Sequence, residues 1–513
     1  MSIYLLEIDH YNPVTSQLET LYVSDKGYVD PLTGRGYEKR IAKGGNAQFG
    51  TSAYSRGATL GRSTVGDGDL TLSNIDRALD GLRTHDFRAV RISVIQNQRS
   101  LLSSAIRVAT LSIETVDITW SSLKITLVDR LSELNIQAQR AVFLGNNANA
   151  FSIEGNTQLQ GQIKPALIGK VGWFEPPLVN SASLLYLIHH NALGVPATVN
   201  SIDGVKDSGV TIVFHQNYAT IAALITAQQG GSITAGRYGT CLAEGAFCLG
   251  SIPVGAVTCQ ASQAASNIIT AATTHLLTEY GGVAGADIEN AASLPTWNVG
   301  YWINDNISLL DVAQTLCGSG GGWIVPTIEG KLRFGQLINP TSETPLATFL
   351  GTDIFKGSSG GLERIAFSDV TGGIPTYNVN VKYQRFSRAL SDSEMAGSVS
   401  LAERQELAQN YRAVAANDDA IRAIYLQSEP LIIETALFEK ANAVTFAAEQ
   451  LLLRKLWRDL YVIDVDDSNQ VYNIGDIIAI KVQGFDLASG KSFIVIGTQQ
   501  DYNNRIMTYY LYG

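Results

Sequence analysis

Charged side chains are scarce in this sequence. Asp, Glu, Lys and Arg make up 16% of its 513 residues, against roughly 25% in an average soluble domain. The balance is acidic, with a net charge of -10, and this argues against a basic surface that binds nucleic acid. It does not exclude a channel through which nucleic acid passes, because a negatively charged channel wall repels phosphate.

Cysteine is also rare. Four cysteines cannot form the disulfide framework of a chain this long, and no CxxC motif occurs. A metal or iron–sulfur cluster is one alternative for these residues. The sequence favours the other alternative, buried free thiols, because free cysteine packs as a small apolar residue. The four positions are Cys241, Cys248, Cys259 and Cys317.

Long apolar runs are missing as well. No stretch of eighteen apolar residues occurs, so we expect no membrane-spanning segment. Near the N-terminus, Glu7 and Asp9 come too early for a signal peptide. We therefore expect the protein to be made and to fold in a cytoplasm, whatever particle it later joins.

Glycine and apolar residues are abundant instead. The chain has 48 glycines and is 45% hydrophobic, and it is rich in Thr, Ser, Val and Ile. A chain of this length exceeds one hydrophobic core and predicts about three or four domains. Together these features predict a β-rich protein with much of its surface covered, as in a large oligomer or a particle-borne protein.

The glycine run 318–322 is a candidate phosphate loop. A dinucleotide fingerprint needs GxGxxG after a strand and at the start of a helix. Here the glycines follow a predicted helix, and Trp323 stands where the last glycine should be. The run therefore predicts a helix stop and a turn.

Histidine and acidic clusters give no catalytic pattern. His189-His190 is the only histidine pair, and on a strand the two rings point to opposite faces, so they cannot share one metal without help. No HExxH or GxSxG motif occurs. The acidic clusters lack the spacing of a calcium loop and predict solvated turn residues rather than a metal site. They are Asp464, Asp466 and Asp467, and Asp67 and Asp69.

Five further carboxylates cannot be paired as acid and base from sequence alone. We therefore assign no catalytic, cofactor-binding or metal-binding residue, and we expect no cofactor and no enzymatic activity. The five are Asp86, Asp117, Asp129, Glu133 and Glu154.

The last forty residues form a recognisable unit. The pattern predicts a strand over 477–482, a loop over 484–490, a strand over 493–496, a turn at Asn503-Asn504 and a strand over 507–512. A similar order occurs earlier, with apolar runs at 90–95, 108–116 and 123–128. The spacing is alike but few identities are shared. We predict that one small β module occurs twice.

Other local signals give further predictions. Asp203-Gly204 indicates a hairpin turn between two strands. Helices are predicted over 266–280, from Ser308 to about Cys317, over 401–411 and over 433–457. For the last helix the predicted buried stripe is Ala436, Leu437, Ala443, Val444, Ala447, Leu451, Leu452 and Leu456.

Two stretches and three weaker patterns resemble one family. The stretches are 244–258, EGAFCLGSIPVGAVT, and 321–335, GGWIVPTIEGKLRFG. The weaker patterns are Lys164-Pro165 with Pro176-Pro177-Leu178-Val179, then 396–399 before a helix ending near Tyr411-Arg412, and 475–478 before the closing hairpin. In their order along the chain they are similar to the baseplate hub, or tail tip, proteins of long-tailed non-contractile phages and related gene transfer agents.

This resemblance implies a fold class. The implied fold is that of a β-rich α+β multidomain protein, in which two tail-tube-like β modules, one N-terminal and one C-terminal, flank two smaller insert domains. The implied domains are a tube-like β domain over 1–140, which need not be continuous, a β-rich insert domain over 141–265, an α+β domain over 266–355, and a tube-like domain with the long helix over 356–513.

The resemblance also implies partners and a location. A homotrimer would supply six modules and join a six-fold tail tube to a three-fold central fibre in the tail tip of the virion. Its neighbours would be a distal tail or tail tube protein, the central tail fibre and the tape-measure protein. DNA would pass through the lumen without specific binding.

Two other functions remain open at this point. A hydrolase acting on glycans or peptidoglycan would need a cleft with two placed carboxylates or a Cys/His pair. A receptor-binding adhesin would need a repetitive or aromatic-rich tip region, and the sequence has none.

Overall fold

Five β-sheets and six short α-helices make up the described part of the chain. The structure is a computed structural model and describes residues 3–42, 48–63, 66–289, 294–355, 361–466, 471–501 and 504–513. The prediction of a β-rich multidomain protein is confirmed. Within these residues no helix is long and apolar enough to cross a membrane.

The first sheet has eight strands in the order β3-β4-β2-β1-β7-β8-β9-β6. Alternating side chains of its central strands bury one face, as in β1, where Leu6 and Ile8 are buried and the intervening Glu7 is not. The strands are β1 (Ile3–Asn12), β2 (Gln17–Ser24), β3 (Tyr28–Val29), β4 (Gly36–Lys39), β6 (Asp67–Ser73), β7 (Asp86–Ile95), β8 (Ile106–Ile118) and β9 (Ser122–Val128).

The second sheet has nine strands in the order β11-β12-β16-β15-β14-β13-β17-β10-β19. Helix α1 (Ile221–Gln229), which sequence reasoning missed, connects the parallel strands β14 and β15 and is capped by Thr220. The strands are β10 (Ala166–Phe174), β11 (Leu178–Asn180), β12 (Leu185–Leu187), β13 (Ser201–Asp207), β14 (Val210–Asn217), β15 (Arg237–Cys241), β16 (Ala246–Leu249), β17 (Val257–Ser262) and β19 (Gly300–Ile303).

The predicted turn at Asp203-Gly204 is wrong. Both residues lie inside β13, and the chain turns at Ser208-Gly209, where both φ angles are positive, at 50° and 82°. Two consecutive residues with positive φ form the tight hairpin turn that matches strand twist. An Asp-Gly pair inside a strand is tolerated here because Gly204 lies at a register shift against β17 and under the Trp173 ring.

A three-stranded sheet packs beside two helices. The strands, in the order β18-β21-β20, are β18 (Ile288–Glu289), β20 (Gly322–Pro326) and β21 (Leu332–Gln336). The helix predicted over 266–280 is α2 (Ile269–His275) continued by a π-helical turn (Leu276–Tyr280) that ends at Gly281. The helix predicted from Ser308 is α3 (Leu309–Gly318), and the Ser308 hydroxyl accepts a hydrogen bond from the Asp311 amide. Both predictions are confirmed to within a few residues.

The C-terminal sheet has the strand order β22-β28-β29-β30-β27-β23. Strand β5 (Gln48–Ser52), from the N-terminal part of the chain, pairs with the second half of β29. The predicted closing strands are confirmed, although Asn503 of the predicted turn lies outside the described residues. The strands are β22 (Thr348–Leu350), β23 (Leu362–Ile365), β27 (Leu460–Asp466), β28 (Ile477–Lys481), β29 (Lys491–Asp501) and β30 (Ile506–Tyr512).

The last sheet, β25-β24-β26, corrects two predicted helices. The helix predicted over 401–411 is α4 (Leu401–Leu407), after which the chain enters β25. The helix predicted over 433–457 starts later, as α6 (Lys440–Arg454), because the preceding residues form β26 parallel to β24. The strands are β24 (Asn378–Tyr383), β25 (Arg412–Asn417) and β26 (Leu431–Glu434), and α5 (Asp419–Ile424) follows β25.

The predicted buried stripe of α6 is also partly wrong. Val444, Leu452 and Leu456 are exposed, while Phe446 and Gln450 are buried. The late start of the helix leaves Ala436 and Leu437 outside it. The face that packs is set by the sheet beneath the helix, which the helical period alone does not specify.

Candidate functional site

The first and the C-terminal sheets contain the same four-strand unit. In the N-terminal module the order is β7-β8-β9-β6, and in the C-terminal module it is β28-β29-β30-β27. In each module three consecutive strands form a meander, and the strand that precedes them pairs antiparallel with the third. The predicted repeat of one β module is therefore confirmed.

The two modules also share their register. Strand β6 pairs with β9 from Asp67↔Val128 to Ser73↔Ser122, and β27 pairs with β30 from Leu460↔Tyr512 to Asp466↔Ile506, seven pairs in each case. The second strand bulges at the same place in both modules. The extra residue is Glu114 in β8 and Ile496 in β29. In each module it directly follows the residue that pairs with the second-last residue of the third strand.

The same positions form the core of each module. Eight residues of the N-terminal module and their register equivalents in the C-terminal module are buried in one cluster each. Only two of these pairs are identical, so the repeat is one of pairing and burial. The pairs are Leu70/Ile463, Leu72/Val465, Val90/Ile478, Ile92/Ile480, Leu111/Phe493, Leu123/Met507, Ile125/Tyr509 and Leu127/Leu511.

The modules differ on their second face. In the C-terminal module, Ile494 and Ile496 bury this face against Trp323 of β20 and Leu453 of α6. In the N-terminal module the second face carries an ion-pair ladder, in which Arg91 Nη2 lies 2.7 Å from Asp9 Oδ1 and Arg91 Nε lies 3.0 Å from Glu7 Oε2. The N-terminal module thus keeps a polar face that its counterpart has covered.

The two modules meet at a small cavity of about 40 Å³. It is lined by β8, by the loop of the β20–β21 hairpin and by residues of β29 and β30, among them Thr498 and Met507. Val471 packs on the cores of both modules. Strand β5 strengthens the junction, because it lies between β4 and β6 in the chain yet pairs with β29.

Asp129 is the buried polar link at this junction. Its Oδ2 accepts hydrogen bonds from the Thr51 hydroxyl of β5 and from the Gly66 amide, both at 2.7 Å, and its Oδ1 accepts one from the Leu131 amide at 2.8 Å. Its side chain is fully buried. Burial raises the pKa of Asp129 to about 6, with the three hydrogen bonds opposing that rise.

This buried carboxyl predicts a pH dependence of stability. Between the ordinary pKa of 3.8 and the folded pKa of about 6, the folded state keeps the proton while the unfolded state loses it, so stability falls as the pH rises through this window. The two units correspond to about 3 kcal/mol. The variant Asp129→Asn cannot ionise at this position and serves as the reference. In urea titrations, the unfolding free energy of the wild type should fall by this amount relative to the variant between pH 4 and 6, roughly the two pKa values.

The matched control for this prediction is Asp117→Asn, which removes an exposed carboxylate from the same sheet. The asparagine at 129 also loses hydrogen bonds, but this loss changes the free energy of unfolding by the same amount at every pH. A constant difference between the wild type and Asp129→Asn across the pH range would contradict the prediction.

The structure gives His189 and His190 separate partners. Both rings are buried. His189 Nδ1 accepts a hydrogen bond from the Leu167 amide at 3.0 Å, and His190 Nδ1 lies 3.1 Å from the Pro165 carbonyl oxygen. Burial lowers the pKa of His189 to about 3 and that of His190 to about 4, so both rings are neutral packing groups at neutral pH.

All four cysteines are buried and free, so the prediction of buried free thiols is confirmed. Cys241 Sγ donates to Glu244 Oε2 at 3.6 Å, and Cys317 Sγ donates to Thr273 Oγ1 at 3.8 Å. Burial raises the pKa of Cys241 to about 11 and that of Cys317 to about 12. Thiols of this kind stay protonated and are poor nucleophiles.

The glycine run forms a helix stop and a turn, as predicted. Helix α3 ends at Gly318, and β20 begins at Gly322. Gly321 has a φ of 72° and lies against Gln450 of α6.

The four acidic-cluster residues that the structure describes lie in strands and not in turns, which corrects that prediction for them. Asp464 and Asp466 lie within β27, where Asp464 Oδ1 accepts a hydrogen bond from the Thr508 hydroxyl at 2.6 Å, and Asp467 lies outside the described residues. Asp67 and Asp69 lie in β6, and Asp69 is 3.0 Å from Lys124 Nζ. Cross-strand pairing, rather than a turn, positions the carboxylates of Asp464 and Asp69.

The five remaining carboxylates do not converge. Asp129 is the buried link described above, and Asp117 is exposed. The other three each lie beside a basic residue: Asp86 with Arg88, Glu133 with Arg130 and Glu154 with Lys164.

Sequence reasoning missed one cluster of side chains that carry metal-ligating atoms, which is formed by His10, Glu19 and His85. Their separation along the chain gives no motif. The alternation of apolar and polar residues in β1 indicates which face of the sheet carries His10. Which residues lie beside His10 depends on how the strands pair, and the sequence does not show that pairing.

Taken together, fold and junction define a multidomain β scaffold with two register-matched modules. No family model matches the sequence, and no curated protein matches it. Solved structures with similar chains include a tail protein from Neisseria meningitidis MC58, at 9% identity over 99% of this chain and 96% of that chain, with a TM-score of 0.39.

Two further solved structures are similar to this chain. The prophage MuSo2 43 kDa tail protein from Shewanella oneidensis has 9% identity over 99% and 98% of the two chains, with a TM-score of 0.39. A chain in the virion of a native gene transfer agent particle has 12% identity over 69% and 84%, with a TM-score of 0.42. Two of these neighbours are tail proteins, and the third is a chain of a virion.

Proposed function

We propose that this chain is the structural hub of a phage tail tip. In this proposal a homotrimer joins the six-fold tail tube to the three-fold central fibre and lines the channel through which DNA is ejected. The chain acts as an assembly part of the virion and not as an enzyme.

The observation that supports this most strongly is the pair of register-matched modules. Three chains carry six copies of the four-strand unit, which is the number needed to continue a six-fold ring. Open sheet edges present unpaired backbone groups that favour pairing with another strand. A ring of modules satisfies such edges, and obligate ring interfaces bury on the order of 2,000 Å² or more.

Composition and surface support the same proposal. The acidic balance, -10, suits a channel that DNA passes without adhering. Beside the end of α6, Leu426 and Leu456 are 89% and 53% exposed, and the rings of Tyr425 and Trp457 stack at 6.2 Å. Exposed apolar clusters of this kind are typical of subunit contacts.

The hub proposal assigns roles along the chain. The N-terminal tube-like domain covers 1–140 and the C-terminal one covers 356–513, with the insert domains 141–265 and 266–355 between them. The neighbours would be a distal tail or tail tube protein above, the central tail fibre below, and the tape-measure protein and DNA inside. Assembly would take place in the host cytoplasm.

Oligomeric state tests the proposal directly. The purified full chain, of 55.2 kDa, should give a mass of three chains by native mass spectrometry and a ring in negative-stain images. The tail tube protein of the same particle should bind one face of that ring. A strict monomer, with no ring either alone or with the tube protein, would overturn the proposal.

A surface variant tests the assigned subunit contact. The double substitution Leu426→Asp and Leu456→Asp should shift the trimer toward monomer without lowering the unfolding temperature of the monomer, because both side chains are exposed. Val14→Asp, at a position 86% exposed in the β1–β2 turn, is the matched control and should leave the trimer intact. A trimer unchanged by the double substitution would remove this cluster from the interface.

A further inference from the structure

Three side chains with metal-ligating atoms meet at the end of the N-terminal sheet. His10 of β1 and Glu19 of β2 are direct cross-strand partners. His85 directly precedes β7, the strand on the other side of β1. One ligand atom from each residue lies within 4.8 Å of the other two, and the two Nδ1 atoms are 2.9 Å apart.

The surrounding residues hold these groups in place. Asn12 Nδ2 and Thr15 Oγ1 donate hydrogen bonds to Glu19 Oε1 at 2.9 and 3.0 Å, and this leaves Oε2 for a ligand. The His10 ring is 4% exposed and packs on Phe87, with 5.6 Å between ring centroids. Glu19 and His85 are only partly buried, so an ion can reach the cluster from solvent.

We propose that His10, Glu19 and His85 bind one divalent transition-metal ion of the zinc class. Two imidazole nitrogens and one carboxylate oxygen form a three-residue donor set that zinc accepts, with water in the fourth position. Two nitrogens on one tetrahedral zinc ion are roughly 3.3 Å apart for metal–nitrogen distances of about 2.0–2.1 Å. The observed nitrogen pair needs to open by only a few tenths of an ångström.

The ion would fasten three adjacent strands at one end of the sheet. One ligand comes from each of β1 and β2, and the third comes from the residue that enters β7. The C-terminal module has no counterpart to this hairpin among the described residues, since the strand beside β28 is β22, in parallel pairing. The site therefore belongs to the N-terminal module alone and does not depend on the proposed hub function.

The test uses the full chain stripped with a chelator and then titrated with Zn²⁺. Calorimetry and metal analysis after dialysis should give one ion per chain, and Zn²⁺ should raise the unfolding temperature. His85→Gln should weaken binding at least tenfold and abolish the thermal shift. Glu19→Gln should also weaken binding while its amide oxygen keeps the hydrogen bonds from Asn12 and Thr15, so that the fold is retained.

His215→Gln is the matched control, because it removes one histidine from β14, far along the chain from the cluster. It should bind Zn²⁺ like the wild type. Absence of stoichiometric binding in the wild type would overturn the proposal and leave the two rings hydrogen-bonded to each other. Equal binding by the wild type and His85→Gln would overturn it too, as would binding that is lost in His85→Gln but unchanged in Glu19→Gln.

Discussion

Replacing Phe493 by alanine is expected to destabilise the C-terminal module by about 3–5 kcal/mol. Phe493 is fully buried and makes an edge-to-face contact with Tyr461, with centroids 5.5 Å apart. The cost combines lost apolar burial with the cavity left behind, because the neighbouring strands relax only in part. Its register equivalent Leu111, 3% exposed in β8, should cost about 2–5 kcal/mol as Leu111→Ala.

Hydrogen exchange followed by mass spectrometry can separate the two modules. Phe493→Ala should accelerate amide exchange in β28, β29 and β30, and Leu111→Ala should accelerate it in β7, β8 and β9. Leu193→Ala, at a position 86% exposed, is the control and should change stability by less than about 0.5 kcal/mol. Equal acceleration of both modules by either variant would mean that they open as one unit.

Replacing Gly169 by alanine is the second substitution with a large expected effect. Gly169 has a φ of 69°, and a Cβ there would lie 2.1 Å from the Val299 carbonyl oxygen. Its partner across the ladder is Gly300, so two backbones approach where no side chain fits. Positive φ and a backbone clash together should cost roughly 3 kcal/mol or more.

Gly161→Ala measures the conformational part of that cost without the steric part. Gly161 has a φ of 78°, but a Cβ added there would have no neighbouring atom within 4 Å. Alanine at this position should cost only the left-handed conformation, about 1–2 kcal/mol. Urea unfolding with exchange measured in β10 and β19 compares the two variants. Equal costs would show that the pairing of β10 with β19 yields to the added methyl group.

The closing strands illustrate what local pattern predicts well. The apolar β-branched run at 477–482 and the turn signals around it indicate β28 and its neighbours, because a strand that is buried on both faces needs such residues. Ser308 likewise identifies the start of α3, since its hydroxyl accepts a hydrogen bond from the backbone amide three residues on.

The start of α6 illustrates where local pattern fails. Ile433 and Glu434 lie within the predicted helix, yet both pair with β24 as strand residues. The Lys382 carbonyl oxygen also accepts hydrogen bonds from the amide and the hydroxyl of Thr435. Asp203-Gly204 fails for a similar reason, because a neighbouring strand stabilises an extended backbone at a sequence typical of turns. Partners distant in the chain override local preference in both cases.

By itself the sequence determined the β-rich class, the positions of most strands, the helix cap at Ser308 and the existence of a second, similar module. These features depend on residue types within a few positions of each other. Tertiary structure alone decided the shared register of the modules, the transfer of β5 to the far sheet, the burial of Asp129 between them and the meeting of His10, Glu19 and His85. Each of these depends on which strands pair, and strand pairing joins residues whose separation along the chain leaves no local pattern.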